Sequence, residues 1–292
     1  VYRDFVGLES MGGGSAVREE LSARVAWSVI IPFYNEQAFL ADTIASLAAQ
    51  HVPFELILVD NGSSDGSADV ACSAAETHGL HYQLVTESRP GKVHALAAGM
   101  ARVATRFVAT CDADTWYPPH YLETAGALLA QPGCVAAGAY FVDPDWDEAR
   151  AHRAARRVQR SARLLAGQCH TGGAGQVFDT IALHRAGGFD PRRWNYVLED
   201  HEIIHQILKH GRMAYTDSLW CMPSPRERKR GSTKWTRLEQ LVYHLTASHK
   251  GDWFFSRFFG PRLEQRRLTS DRLREAPQTA RFGDAPAYSV CG

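Results

Sequence analysis

A succession of continuous apolar runs limits what this chain can become more than any other feature. Ala26 to Pro32 (AWSVIIP), Phe54 to Val59 (FELILV), His81 to Thr86 and Arg106 to Cys111 each read as a short strand. Helical stretches lie between them. Leu40, Ile44, Leu47 and Ala48 share one face after Asn35, a residue suited to capping a helix. After Asn61-Gly62, Ser64 or Asp65 can cap a second helix that stops at Gly79. Val93 to Ala104 reads as a third helix, rich in small residues. Strands with one wet face alternate polar and apolar residues. These runs do not, so both faces must be covered. The expectation is an α/β fold with a mostly parallel sheet flanked by helices. Ligands of such sheets bind beyond the carboxyl ends of the strands. Asp60, Asp112 and Asp114 all stand at such ends.

The second half is less regular. Cys134 to Val142 is a candidate strand, Asp145 to Leu165 an arginine-rich helix and Gly167 to Gly175 a glycine-rich loop. Gly187-Gly188-Phe189-Asp190 reads as a turn, and Asp200 to His210 as a helix ending at Gly211. Trp235, Leu238, Leu241, Val242 and Leu245 mark an amphipathic helix. No repeat or composition break divides the chain, so one domain is expected. Its expected parts are a flexible arm over 1–24, a body over 25–250 and a partly disordered extension over 251–292. Within the body, a regular half covers about 25–115 and a less regular half about 116–250.

Of 292 residues, 45% are hydrophobic, which suffices for a sizeable core. Formal net charge is zero, so no global field draws in nucleic acid, and none is expected as a partner. The six cysteines form no CxxC pair and several sit in apolar runs, which favours a reducing compartment. No run has the apolar length of a transmembrane helix, and the N-terminal residues carry no signal-type segment. A cytoplasmic location is expected, with peripheral contact to the inner face of a membrane as its one variant. That variant rests on Trp253, Phe254, Phe255, Phe258 and Phe259, which suit either a bilayer interface near a lipid-linked acceptor or packing on the core.

Asp112 and Asp114 end a core strand with one alanine between them. In extended chain, residues two apart point the same way and lie about 6.5–7 Å apart. Two such carboxylates, with water and phosphate oxygens, suit Mg²⁺ or Mn²⁺. Taken alone they also suit a solvated turn.

The surrounding residues narrow the choice. Val29-Ile-Ile-Pro-Phe-Tyr-Asn-Glu36, Leu58-Val-Asp-Asn-Gly-Ser-Ser-Asp-Gly66, Arg89-Pro-Gly-Lys92 and Cys111-Asp-Ala-Asp114 follow one another in order. Gly187-Gly-Phe-Asp190 and Leu198-Glu-Asp200 come later. The set resembles the family 2 glycosyltransferases, over roughly residues 26 to 220. The resemblance implies a GT-A fold and an inverting transfer of a sugar from a nucleotide-diphosphate donor to a glycan, lipid-linked or small hydroxyl acceptor. It implies that Pro32, Tyr34 and Glu36 line the nucleotide pocket, that Asp60 accepts hydrogen bonds from the base, and that Lys92 meets phosphate or sugar. Asp112 would contact ribose and metal, Asp114 would ligate Mn²⁺ or Mg²⁺, and Asp200 would act as general base with Glu199 beside it. Each acid keeps a plainer alternative; for Asp200 it is helix capping. The QxxRW motif of processive members is missing. In its place stand Arg226, Arg228, Lys229, Arg230 and Lys234, which suit either a loop closing over the diphosphate or a solvated run.

His201-Glu202-Ile203-Ile204-His205 spells HExxH, the zincin signature, and offers a zinc-dependent hydrolase as an alternative. Leu208 and Gly211 stand where the extended form of that signature needs glycine and histidine. A third alternative is a catalytically inactive nucleotide-sugar binding module. A sugar-1-phosphate nucleotidyltransferase would open with a glycine-rich, basic loop, and Phe33-Tyr34-Asn35-Glu36 stands there instead.

Overall fold

A computed structural model describes residues 25–225 and 235–272. The apolar runs form strands β1 (Trp27–Phe33), β2 (Phe54–Asp60), β3 (Tyr82–Thr86) and β4 (Phe107–Thr110). All pair in parallel, with Trp27 opposite both Phe54 and Phe107, and Phe33 opposite Asp60. Alternate residues feed opposite cores. Val29, Ile31, Leu56 and Leu58 pack on one side of the sheet; Ile30, Ile57 and Val59 pack on the other. That is why the runs do not alternate in polarity.

Helices α1 (Leu40–Ala48), α2 (Ser67–Thr77) and α3 (Lys92–Met100) connect these strands. Asn35 does not cap α1. It lies at φ 55°, and its side chain instead meets Ser64 in the loop after β2. α2 starts at Ser67, where Asp65 Oδ1 accepts from Ser67 N at 3.0 Å. The small residues of α3 have a packing reason: a Cβ on Gly99 would meet Ile30 Cγ2 at 2.5 Å. Glycine there lets the helix lie close on β1.

The second half departs from a parallel sheet. After β5 (Thr115–Trp116) and α4 (Tyr121–Leu129), the candidate strand over 134–142 splits. β6 (Cys134–Gly138) enters the main sheet, whereas β7 (Tyr140–Phe141) joins a small one. The arginine-rich helix α5 (Glu148–Leu164) follows, capped by Asp147, whose Oδ1 accepts from Arg150 N at 2.6 Å. A 3-10 turn at Gly173–Gly175 leads into β8 (Gln176–Asp179), which inserts antiparallel between β4 and β6. Helices α6 (Thr180–Arg185) and α7 (Glu199–Ile207), then β9 (Arg212–Ala214) and β10 (Trp220–Pro223), complete this half. The seven-stranded sheet has the order β3-β2-β1-β4-β8-β6-β9, and the three-stranded sheet the order β5-β10-β7.

Helix α8 (Arg237–Trp253) carries a Thr236–Glu239 capping box, then passes through a π-helical turn at Phe254–Phe259 into α9 (Gly260–Gln265). Its sequence pattern misleads. Leu238, Leu241 and Leu245 point outward at 50%, 55% and 63% exposure, while Tyr243 and Ala247 face the core. The aromatic segment that follows divides as well. Phe254, Phe255 and Phe259 are buried in a cluster with Trp194, Tyr243 and Leu263, which removes them from any bilayer contact. Trp253 stays exposed, stacked on Phe258 at 5.8 Å. Among the described residues, no helix is long and apolar enough to cross a membrane.

Candidate active site

The carboxyl ends of β1, β2 and β4 converge on one rim, and buried side chains fix the loops there. Asn61, at the end of β2, does most of this. Its Nδ2 donates to the carbonyls of Glu87 and Arg89 at 2.9 and 2.8 Å, and its Oδ1 accepts from Gly91 N at 2.7 Å. The loop before α3 is thereby tied to β2. Asp60 Oδ1 accepts from Ser63 N at 2.9 Å, and Glu36 N donates to Ser67 Oγ at 2.8 Å. Tyr34, Glu36 and Asp60 are part-exposed on this rim.

Lys92 opens α3 and reaches across the sheet ends. Its Nζ donates to Asp112 Oδ1 at 2.6 Å and lies 3.5 Å from Glu199 Oε1. Desolvation works against the lysine's charge, but Asp112 and then Glu199 outweigh it, so its pKa is raised and it stays protonated. Tyr117, fully buried, links two loops: its hydroxyl accepts from Asp112 N and donates to Ala174 O, both at 2.9 Å. Asp114 is 2% exposed, and its carbonyl accepts from Ser224 N at 2.7 Å. Asp112 thus lines the pocket, whereas the buried Asp114 is not among its lining residues and sits just before β5, tied to the residue after β10.

Glu199 and Asp200 arrive from the opposite side. Leu198, just before them, has φ 62°, a left-handed conformation that a branched residue seldom adopts. The turn delivers both acids at the first turn of α7. A Cβ on Gly173 would stand in ordinary contact, 3.5 Å, with both Lys92 Nζ and Asp200 Cβ, which places the lysine and the aspartate on either side of this glycine. Pro32, Lys92, Asp112, Gly173, Gln176, Glu199 and Asp200 line one pocket. A neighbouring groove is lined by Tyr140, Phe141, Val158, His170, Gly172 and His201.

The two adjacent acids are pushed apart. Burial raises the pKa of Glu199, and the charge of Asp200 adds to this against the pull of Lys92. Burial works the same way on Asp200, but His201, and behind it Lys92, hold its pKa below the usual carboxylate range. Nδ1 of His201 donates to Asp200 Oδ1 at 2.9 Å. Neighbouring titratable groups driven in opposite directions are a hallmark of assigned acid–base roles.

The HExxH segment does not converge on a common point. Glu202, 3% exposed, is taken by Arg193 Nε at 2.9 Å and Gln206 Nε2 at 2.8 Å. His205 bonds Asp252 through Nε2 at 2.9 Å and stacks on Phe255, whereas His201 turns to Asp200. Among the described residues no group of three or more His, Cys, Asp or Glu side chains is placed to hold a metal by itself. Arg226, Arg228, Lys229, Arg230 and Lys234 lie outside the described residues.

Residues 28–187 match the sequence family described as glycosyl transferase family 2. The chain is a family 2 glycosyltransferase. Its curated relatives include undecaprenyl-phosphate 4-deoxy-4-formamido-L-arabinose transferases. That of Serratia proteamaculans is 44% identical over 97 residues, covering 32% of this chain and 30% of the relative. That of Sodalis glossinidius is 38% identical over 109 residues, covering 36% and 33%. The chain thus matches about a third of the length of these relatives. Among solved structures, a mannosyltransferase from Pyrobaculum calidifontis in complex with GDP-Man and Mn²⁺ superposes with TM-score 0.64 at 21% identity. The match covers 87% of this glycosyltransferase and 77% of that chain. S. aureus TarS 1-349, in complex with UDP-GlcNAc, gives TM-score 0.54 at 16% identity over 80% and 71%. Both likenesses establish the GT-A fold.

Sequence reading did not single out Asn61 and His201 for the roles they take here. Asn61 passed for a turn residue, and His201 for half of a zinc motif. Their partners are distant in sequence or on an unexpected atom, so spacing carried no signal for them.

Proposed function

We propose that this glycosyltransferase moves a sugar from a nucleotide-diphosphate donor to a hydroxyl on a glycan or lipid-linked acceptor, with inversion and with Asp200 as general base. The observation that carries the reading is that Lys92, bound to Asp112 Oδ1 at 2.6 Å, and Asp200, held by His201, line one pocket together with Glu199. A hydroxyl is a poor nucleophile until a carboxylate takes its proton, and a base must be unprotonated to do so. His201 keeps Asp200 in that state and fixes its orientation. Lys92 offers a positive charge where the donor diphosphate would lie against the β4 end. Glu199, closer to neutral, is suited to a hydrogen bond with the acceptor. Tyr34, Glu36 and Asp60, part-exposed at the rim, would meet the nucleoside.

A divalent cation fits this set. Mg²⁺ and Mn²⁺ are often bound through one or two carboxylates together with substrate phosphates, which matches a pair of aspartates and no larger protein cluster. Asp112 already has a cationic partner, Lys92 Nζ, at 2.6 Å. Asp112 and Asp114 would hold the ion, which supplies charge neutralisation for the leaving diphosphate.

The relatives' names mention undecaprenyl phosphate, an acceptor that needs no base. A charged Asp200 beside the reaction centre would repel an acceptor phosphate, which favours a hydroxyl. Asp200→Asn tests this directly. It should fold, bind the nucleotide normally and lose about 10²–10⁴-fold in transfer rate. Near-normal transfer would remove Asp200 from the chemistry and support an anionic acceptor.

A further inference from the structure

Two exposed features border the groove next to Asp200 and take no part in the chemistry above. The first is α5. It docks through Ala151 and Ala155, with Val158 reaching into the groove. Its opposite face carries Arg150, Arg153, Arg156, Arg157, Arg160 and Arg163, all exposed. Among the described residues no carboxylate forms an ion pair with any of them. The chain's zero net charge conceals this local field.

The second is the leucine face of α8. Leu238, Leu241 and Leu245 recur at helical spacing and are all at least half exposed. Leu164, the last residue of α5, is 84% exposed. The chain after it runs directly onto α8. Gln168 donates to His244 O at 3.2 Å, and a Cβ on Gly167 would stand 3.0 Å from Ser248 Cα. The C-terminal end of the arginine-rich helix is therefore tied, through residues 167 and 168, to the helix that carries the leucines.

We propose that these two faces form a peripheral membrane-binding surface for an anionic lipid bilayer. Interfacial segments combine apolar side chains that enter the headgroup boundary with cations that meet lipid phosphates. A nucleic acid would use the arginines but gives no partner to the leucines. A second copy packed symmetrically would bring two arginine faces together. An anionic bilayer satisfies both features at once. The loop that follows α5 lines the acceptor groove through His170 and Gly172, so the bound surface would lie beside that groove.

The test is flotation of the full chain with vesicles of phosphatidylcholine alone or mixed with phosphatidylglycerol, at low and high salt. Binding to the mixed vesicles, weakened by salt, is expected. Each arginine near such a surface contributes about fivefold to partitioning, so Arg156→Gln/Arg160→Gln/Arg163→Gln should lose on the order of 100-fold. Leu238→Gln/Leu241→Gln/Leu245→Gln should also detach. Both variants should keep the wild-type melting temperature and nucleotide affinity, since the substituted side chains face solvent. Failure of the wild type to float with mixed vesicles at low salt would overturn the proposal. So would wild-type flotation by either variant, or arginine-dependent binding of single-stranded RNA with no vesicle binding. Flotation requires no turnover, so its failure leaves the transferase reading intact, and inactivity of Asp200→Asn leaves flotation unchanged.

Discussion

Asp200 holds its charge in an unfavourable place, buried and next to another carboxylate. Burial alone would raise its pKa; the charge and hydrogen bond of His201, and then the nearby Lys92, outweigh this and lower it. The sign of a His201→Ala change follows. Loss of the donor destabilises the charged form, so the Asp200 pKa rises. Activity that requires unprotonated Asp200 is then lost at a higher pH as the solution is acidified. The acid limb of the kcat/KM profile should move upward in His201→Ala, with a smaller loss at neutral pH than in Asp200→Asn. An unmoved limb would show that His201 acts only in packing against Trp235 and Tyr243. Asp114 poses a separate question, because it is buried and does not line the pocket. If it holds a cation, Asp114→Ala should remove the Mn²⁺-dependent part of nucleotide binding, read by calorimetry with and without the metal. Equal metal enhancement in the variant would leave Asp112 as the sole protein ligand.

At the scale of elements, β1, β2 and β4 were legible because continuous apolar runs have few other uses, whereas β3 is the part-exposed edge strand. Runs that feed two cores cannot alternate. Of the later strands only β6 was legible, within the candidate strand over 134–142, and the others were not for the opposite reason. β7 has two residues, and β8 is a four-residue insert whose antiparallel pairing with β4 and β6 depends on contacts distant in sequence. Helix α8 shows how periodicity can mislead: its leucines repeat correctly but face outward, and Tyr243 and Ala247 take the core. The site acids could be placed through motif order, whereas Asn61 and His201 needed the tertiary structure. The loop between β3 and α3 adds a small pH-dependent element. Glu87 binds Arg89 through Nε at 3.0 Å and Nη2 at 2.8 Å, and these bonds hold its pKa down at about 2. A folded pKa below the unfolded value gives stability that is complete above about 4.5 and lost as pH falls toward about 2. Glu87→Gln should therefore lose less stability than wild type on acidification through that window. At neutral pH the cost should stay below about 1 kcal/mol, because the guanidinium end is solvated. Thermal melting at a series of acid pH values measures both.

Across the whole molecule, the last described segment reaches back to the loop that precedes Glu199 and Asp200. Thr269 bridges Tyr196, and Val197 N donates to Leu268 O at 3.1 Å. Ser270 N donates to Asn195 O at 2.9 Å. Phe259 is fully buried between Trp194 and Trp235, at ring distances of 5.9 and 4.5 Å. Residues 194–198 therefore rest on the C-terminal aromatic cluster, and they lead directly into Glu199 and Asp200. The nucleotide rim is built differently, from Asn61 and the strand ends. Two parts of the site thus rely on separate supports. Phe259→Ala should cost about 3–5 kcal/mol of stability, the usual range for emptying a buried aromatic position. It should also loosen the Leu198 turn that aims Asp200. Below its melting temperature the variant should bind nucleotide with unchanged affinity yet transfer sugar more slowly. If both nucleotide affinity and transfer fell together, the cluster would be a general support of the fold. A selective loss of transfer would identify it as the element that holds the base in register with the donor.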